Sequence, residues 1–346
     1  MVKALAKVTW EKGLRILLGG QKIGIDVRDV RDEDFLLISH AHADHIPKSC
    51  KGFVVCSNAT KHLINISARR KLRENLSYVF SRGLEICMFP SGHIFGSASF
   101  LIKYGDFSLL YTGDFCDKRR FFMDPIDVDE ILKYADGRID QLVMESTYGD
   151  PYFTFPDFET TVNWCKDWIE DNLGKGYSTI LIGNKIGKSQ ILTKLAEEFE
   201  NVILSPEVER INNIYATKFN LQRFPTINEV CSVGKLKVPF ILICPPTSKR
   251  WMRIFSRKYK VKKAIFSGFA VDKSFKILQD VDEAFPISDH PDFHSLVNFV
   301  SKVNPELTIL VHGSSKRLAS HLNEMGFNAT FFEDGQRGLN EFLEST

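Results

Sequence analysis

Through residues 1 to about 150, short apolar runs alternate with Gly-containing or charged breaks, a pattern of strands and loops with few helices. Residues 14–18 and 23–27 flank the Gly19-Gly20 turn, 35–38 form a further apolar run, and 107–112 follow a hairpin at Gly105-Asp106. The stretch 60–70 reads as a surface helix with a basic end. From 152 to 283 the period changes. Helices are predicted over 158–173, 189–199 and 207–219, alternating with strands at 179–182 and 240–244, which suggests a small parallel α/β domain. After Pro286 the chain is expected to re-enter the first domain with helix 292–303, strand 307–311, helix 315–325 and strand 329–332. The domain boundaries predicted are therefore 1–151, 152–283 and 284–346.

The chemistry concentrates where apolar runs end. Ser39-His40-Ala41-His42-Ala43-Asp44-His45 places three imidazoles and a carboxylate directly after the run 35–38. Alternate side chains of an extended segment point the same way, so His40 and His42 can share one metal ion, while Asp44 and His45 can reach a second. His93, in the Gly-rich loop Ser91-Gly92-His93-Ile94-Phe95-Gly96-Ser97, would be the third imidazole on the first ion. Asp114, after the strand 107–112, would bridge both, and His312, after the strand 307–311, would complete the second. Imidazole and carboxylate donors suit zinc, with manganese or iron also open. Two neighbouring cations lower the pKa of a bridging water, so hydroxide exists at neutral pH and hydrolysis is the expected reaction. The donor set alone leaves thioesters, lactones, lactams and phosphodiesters open as substrates.

This order of motifs closely resembles the metallo-β-lactamase fold, an αββα sandwich. The resemblance implies that Asp26, in Ile25-Asp26-Val27, orients a ligand imidazole without touching metal. The long insert, with Met144-Glu145-Ser146-Thr147 before it and Ser288-Asp289-His290-Pro291 after it, is similar to the β-CASP nucleases of that superfamily, which cut RNA or DNA. Three further stretches carry the likeness: 183–190, 244–253 and Ser267-Gly268-Phe269. The nearest likeness is to small DNA-ligase-associated exonucleases and archaeal RNA-processing factors. The family's extra motifs map onto Glu145, His290 and His312. Phosphodiester cleavage expels an alkoxide, so His290 is assigned as general acid with Glu145 as its orienter. Ser146 and Thr147 are candidates for phosphate contacts, or equally for turn bonds to the backbone. The implied activity is dinuclear metal-dependent hydrolysis of single-stranded DNA or RNA, most simply from the 5′ end. The alternatives are an endoribonuclease of RNA 3′-end processing, a metallo-hydrolase of small esters, and a non-cutting scaffold. DNA-repair or RNA-processing proteins are the expected partners.

Composition adds limits. With 346 residues, 44% hydrophobic and 25% charged, the chain can bury an ample core, and a net charge of +2 does not by itself mark a nucleic-acid binder. Local clustering is more telling. Lys249, Arg250, Arg253, Arg257, Lys258, Lys260, Lys262 and Lys263 interleave with Trp251, Phe255 and Tyr259. This is either a groove where cations track phosphates and rings stack on bases, or a solvated helix with its aromatics turned to the core. Gly187-Lys188-Ser189 looks like the end of a phosphate loop, but Ile182 stands where the first glycine is needed, so no nucleoside triphosphate site follows. Lys185 and Lys188 remain candidate phosphate contacts. The seven cysteines include no CxxC pair and, with no signal peptide and no long apolar run, suggest reduced thiols in a cytoplasmic protein away from membranes. Cys116 is not expected to ligate, and His62, His294 and His321 are read as surface residues.

Overall fold

The computed structural model describes residues 6–49, 53–64, 77–80, 83–232, 234 and 236–332. These divide into two compact units. Unit 1 takes the described residues up to Arg119, Met123–Tyr152 and those from His290 onward, and unit 2 takes Arg120–Phe122 and Phe153–Asp289.

Unit 1 contains two sheets. In the first, β1 Lys7–Trp10, β2 Leu14–Leu18 and β3 Gln21–Ile25 run antiparallel, and β4 Phe35–Leu37 and β5 Phe53–Val55 add parallel to β3. The second begins as an antiparallel meander of β6 Ser77–Phe80, β7 Leu84–Pro90, β8 Ala98–Tyr104 and β9 Phe107–Tyr111. It continues in parallel through β10 Gln141–Glu145 and two strands from late in the chain, β16 Leu307–Val311 and β17 Ala329–Phe331. Side chains alternate faces along these strands, and both faces are apolar. Ile102, Leu109, Val143 and Ile309 meet Ile16, Ile23 and Leu37 of the first sheet, while Leu101, Leu110, Leu142 and Leu310 face outward. The outward face packs against α2 Val128–Tyr134, α9 Phe293–Val303 and α10 Ser315–Glu324. The opposite face of the first sheet, with Leu36, Val54 and Cys56, receives Ile64 of α1 Asn58–Ile64. The expected αββα layering results.

Unit 2 is a five-stranded, wholly parallel sheet of β11 Ser178–Ile182, β12 Val202–Leu204, β13 Ile241–Cys244, β14 Val261–Phe266 and β15 Glu283–Phe285, in the order β12-β13-β11-β14-β15. The intervening helices are α3 Phe158–Gly174, α4 Lys188–Leu195, α5 Pro206–Tyr215, α6 Ile227–Ser232, α7 Lys249–Lys258 and α8 Phe275–Leu278. Their starts follow local rules: Asp157 caps α3, and Ser205 caps α5 with Pro206 at the first helical position. Among the described residues no helix is long and apolar enough to cross a membrane.

Several predicted bounds shift for identifiable reasons. Asp26 adopts φ 53°, which turns the chain out of β3 two residues before the predicted strand end. The first helix runs from Asn58 to Ile64, and the rest of its predicted span lies outside the described residues. The predicted boundary at 283 falls inside β15, whose backbone pairs with β14, so that strand belongs to unit 2. Residues 333–346 of the last predicted segment lie outside the described residues. Among the elements without a prediction are β1, β6, α2, β12, α6, β14, α8 and β15, and β1 is short with a single period of alternation.

Candidate metal centre

The histidines and carboxylates singled out in unit 1 leave the C-terminal ends of parallel strands. Ser39 to His45 follow β4, Asp114 follows β9, Glu145 ends β10, and His312 follows β16, where Glu145 and Val311 are register partners. His93 lies in the loop joining β7 to β8. Two left-handed glycines let these loops approach one another. At Gly113 (φ 58°) a Cβ would stand 2.8 Å from the Ser39 side chain, so only glycine lets Asp114 lie against the His40 loop. At Gly313 (φ 58°) a Cβ would stand 2.3 Å from the Ser146 carbonyl oxygen, and this contact sets His312 beside the end of β10.

Donor atoms of His40, His42, His93 and Asp114 all lie within 4.8 Å of one another. His40 Nε2 and His93 Nε2 are each 3.1 Å from His42 Nδ1, and 3.4 and 3.7 Å from Asp114 Oδ2. Three ring nitrogens converge so closely only with protons or a cation among them. Neighbouring donors of a tetrahedral zinc with Zn–N bonds of 2.0–2.1 Å stand about 3.3 Å apart, so the spacing fits such an ion. The remaining donors gather on the other side of Asp114. His45 Nε2 is 3.5 Å from Asp114 Oδ2 and 3.7 Å from Asp44 Oδ2, and the His45 and His312 rings lie 5.7 Å apart.

Asp26 sits behind His45. Its Oδ2 is 2.9 Å from His45 Nδ1, and the carboxylate also accepts from the Ser39 amide, the Ser39 hydroxyl and the Tyr111 hydroxyl. A carboxylate with those partners fixes the ring and directs Nε2 toward Asp114. Glu145 has the same relation to His290, with its oxygens 2.8 and 2.9 Å from His290 Nδ1, while Glu145 also accepts from the Phe115 amide and the Thr147 hydroxyl. Asp114, Glu145 and His290 bring donor atoms within 4.8 Å of one another, so the pair adjoins the histidine cluster through Asp114.

The electrostatics of the cluster are those of charges crowded out of water. Burial, with the neighbouring imidazoles, drives His40 well below its ordinary value. Burial would also lower His45, yet Asp114, Asp44 and Asp26 together hold it up at about 10. Burial lifts Asp114 to about 7. Burial would raise Glu145 too, but the His290 charge and hydrogen bond hold it below its ordinary value.

Other candidates are placed differently. Ser146 is buried, and its hydroxyl donates to the Val311 and His312 carbonyls, so it braces β10 against β16 and cannot contact a phosphate. Thr147 holds Glu145. Lys188 is buried, with its ammonium on the Ile287 carbonyl and Asp289, so it is not a phosphate contact either; Lys185 is exposed. On α7, Trp251, Phe255 and Tyr259 turn inward onto the core around Phe240 and Leu242, and Phe255 is only 2% exposed, which removes its ring from base stacking. Arg250, Arg253, Lys258 and Lys260 are exposed. Cys116 turns its thiol to the Lys118 carbonyl. Among residues that sequence reasoning missed, Tyr111 and Ser39 complete the Asp26 network, and Trp10 packs edge-on at 5.0 Å against His312. Tyr111 and Ser39 each adjoin a quoted motif, which was the available signal; Trp10 lies on the unpredicted strand β1.

Comparison with known proteins agrees with this architecture. Residues 283–330 match the family described as "Zn-dependent metallo-hydrolase RNA specificity domain". The chain is 30% identical over 311 residues to a protein of Opitutus terrae named "Probable DNA ligase", covering 87% of this chain and 29% of that protein. It is 24% identical to an "RNase J-like protein" of Methanocaldococcus jannaschii, with 82% of both chains covered. A crystal structure of a protein of unknown function from Enterococcus faecalis V583 shares the fold, with a TM-score of 0.64 at 12% identity over 94% of this chain and 95% of that one. The αββα frame with its inserted parallel domain, the histidines and carboxylates gathered at the strand ends and these likenesses agree: the chain belongs to the β-CASP nuclease branch of the metallo-β-lactamase superfamily, a family of zinc-dependent hydrolases.

Proposed function

We propose that the protein is a metal-dependent nuclease that hydrolyses single-stranded DNA or RNA inside the cell, from the 5′ end, leaving 5′-phosphate and 3′-hydroxyl ends. The observation that carries this reading is the junction of two sets of side chains at Asp114: the donors His40, His42 and His93 on one side, and the Glu145–His290 pair on the other. His40, His42, His93 and Asp114 would hold one zinc ion, and Asp44, His45, Asp114 and His312 a second. Bound zinc supplies an activated water and offsets charge on the phosphoryl oxygens.

The chain's own residues do the rest. Glu145 keeps His290 protonated and oriented, and the imidazolium gives its proton to the departing O3′ as the P–O3′ bond breaks and water adds to phosphorus. Asp26 keeps His45 in one tautomer. Arg250, Arg253, Lys258 and Lys260, exposed on one helix and the residues after it, are suited to the phosphates of a strand, as is Lys185. The names of the relatives, one a DNA ligase and one an RNase, support nucleic acid as substrate and favour neither sugar.

The test is cleavage of matched 5′-labelled and 3′-labelled DNA and RNA single strands with Zn or Mn, beside Asp114→Asn. Mononucleotides released first from the 5′ end, with a loss of about a thousandfold or more in the variant, are expected. Internal fragments would replace the exonuclease by an endonuclease. Cutting that persists in Asp114→Asn would overturn the site.

A further inference from the structure

We propose that Arg120 and Lys188 are positioning residues for His290, acting through Asp289. The inference rests on the nuclease reading above, in which His290 donates the proton. Asp289 immediately precedes His290 and is only 6% exposed. Two buried cations converge on its Oδ1: Arg120 Nη1 at 2.5 Å and Lys188 Nζ at 3.1 Å. Arg120 is 2% exposed and Lys188 4%. Lys188 Nζ also donates to the Ile287 carbonyl at 2.7 Å. Of the three residues before His290, Asp289 is thus held through its side chain and Ile287 through its main chain.

Burying three charges is costly, and two cations on one carboxylate exceed what neutralising it requires. What the arrangement provides is rigidity. The three groups come from distant parts of the chain, and they meet at Asp289, whose next residue is His290. Arg120 is itself anchored, because Phe121 packs on Phe158 at 5.1 Å and Phe122 on Phe219 at 4.6 Å within unit 2. On the other side of His290, within unit 1, Asp292 takes Lys118 Nζ at 3.1 Å and caps α9 through the Ser295 amide. The carboxylates one residue before and two after His290 are therefore held by cations two residues apart, on the segment that leaves Asp114. A proton donor must meet its acceptor within a few tenths of an ångström, and a displacement of about 1 Å can cost about a hundredfold in rate.

Lys188→Met is the informative variant, because it leaves the Arg120–Asp289 pair charge-balanced. Two substrates separate positioning from general damage: an oligonucleotide, whose alkoxide leaving group needs a proton, and thymidine 5′-(p-nitrophenyl phosphate), whose phenolate does not. The expected result is a fall in kcat of about tenfold to a hundredfold on the oligonucleotide with KM little changed, a far smaller fall on the p-nitrophenyl ester, and recovery in Lys188→Arg. Hydrogen exchange of the peptide spanning 286–293 should also accelerate in Lys188→Met, whatever the activity. An equal loss on both substrates, an unchanged kcat on the oligonucleotide, or unchanged exchange would each overturn the proposal. If the wild-type protein cuts neither substrate, the nuclease reading falls and the positioning role falls with it.

Discussion

Both units end their parallel strands in loops rich in polar side chains, but the two sets of loops are put to opposite uses. In unit 1 the side chains after β4, β9, β10 and β16 turn toward one another, and imidazole nitrogens stand 3.1 Å apart. In unit 2 the loop after β11 turns its polar groups into the protein. Lys188 holds Ile287 and Asp289, the Ser189 hydroxyl donates to the Gly183 carbonyl, and Gln190 bonds Asn212. The first arrangement leaves like donors facing each other and calls for a cation, whereas the second is complete without a ligand. Residue type alone does not distinguish a site from a brace; what matters is whether the polar atoms find complementary partners within the chain.

The sharpest way to break this comparison is His290→Ala. In the proposed mechanism it removes the proton donor and leaves the donors around Asp114 in place, so oligonucleotide turnover should fall by about 10²–10⁴-fold with metal content unchanged. Steady-state cleavage and elemental analysis of the same preparation check this. Loss of metal along with activity would make His290 a ligand, and normal turnover would remove it from the reaction.

A smaller effect is expected from Asp26→Asn. The amide would still fill the space between Ser39, Tyr111 and His45, but it no longer offers the His45 ring a charged acceptor, and metal affinity should weaken about 10–100-fold. Competition with a chromophoric chelator measures the change. Unaltered affinity would reduce Asp26 to a packing role, stabilising the left-handed turn at the end of β3.

Which features were legible in the sequence follows from the same contrast. The clustering of donors was readable because histidines and carboxylates interrupt apolar runs where strands end, and few structural roles call for so many donors there. His290 and Glu145 needed the family resemblance, since the pair spans 145 residues and neither flank carries a distinctive spacing. Lys188 was misread because its burial depends on Asp289 and Ile287, about a hundred positions away, and no local pattern signals it. The aromatic residues of α7 were ambiguous for a different reason. Positions 251, 255 and 259 fit a row of stacking rings and a core-facing stripe equally well, and only the packing against Phe240 decides between them. Removing the Phe255 ring should therefore act on stability, by about 3–5 kcal/mol for Phe255→Ala, rather than on substrate.

The cations of α7 remain the open half of that ambiguity, and they set the mildest prediction. Between Glu229 and Asp272 the chain carries ten Lys and Arg residues and no carboxylate. Arg250, Arg253, Lys258 and Lys260 lie exposed there, and among the described residues none of the four is in an ion pair, whereas Lys262 and Lys263 pair with Asp282 and Asp280. If a strand lies across it, each phosphate contact releases condensed counterions and contributes about 0.7 to the slope of log affinity against log salt. Replacing the four by Gln should weaken single-strand binding several-fold at moderate salt and flatten that slope by about 1 to 3, while melting temperature and metal content stay as they were. Fluorescence anisotropy across a salt series, with a metal-free protein to prevent cutting, reads both quantities. An unchanged slope would mean that the helix faces solvent as plainly as its aromatics face the core, and the strand must then be held by other cations.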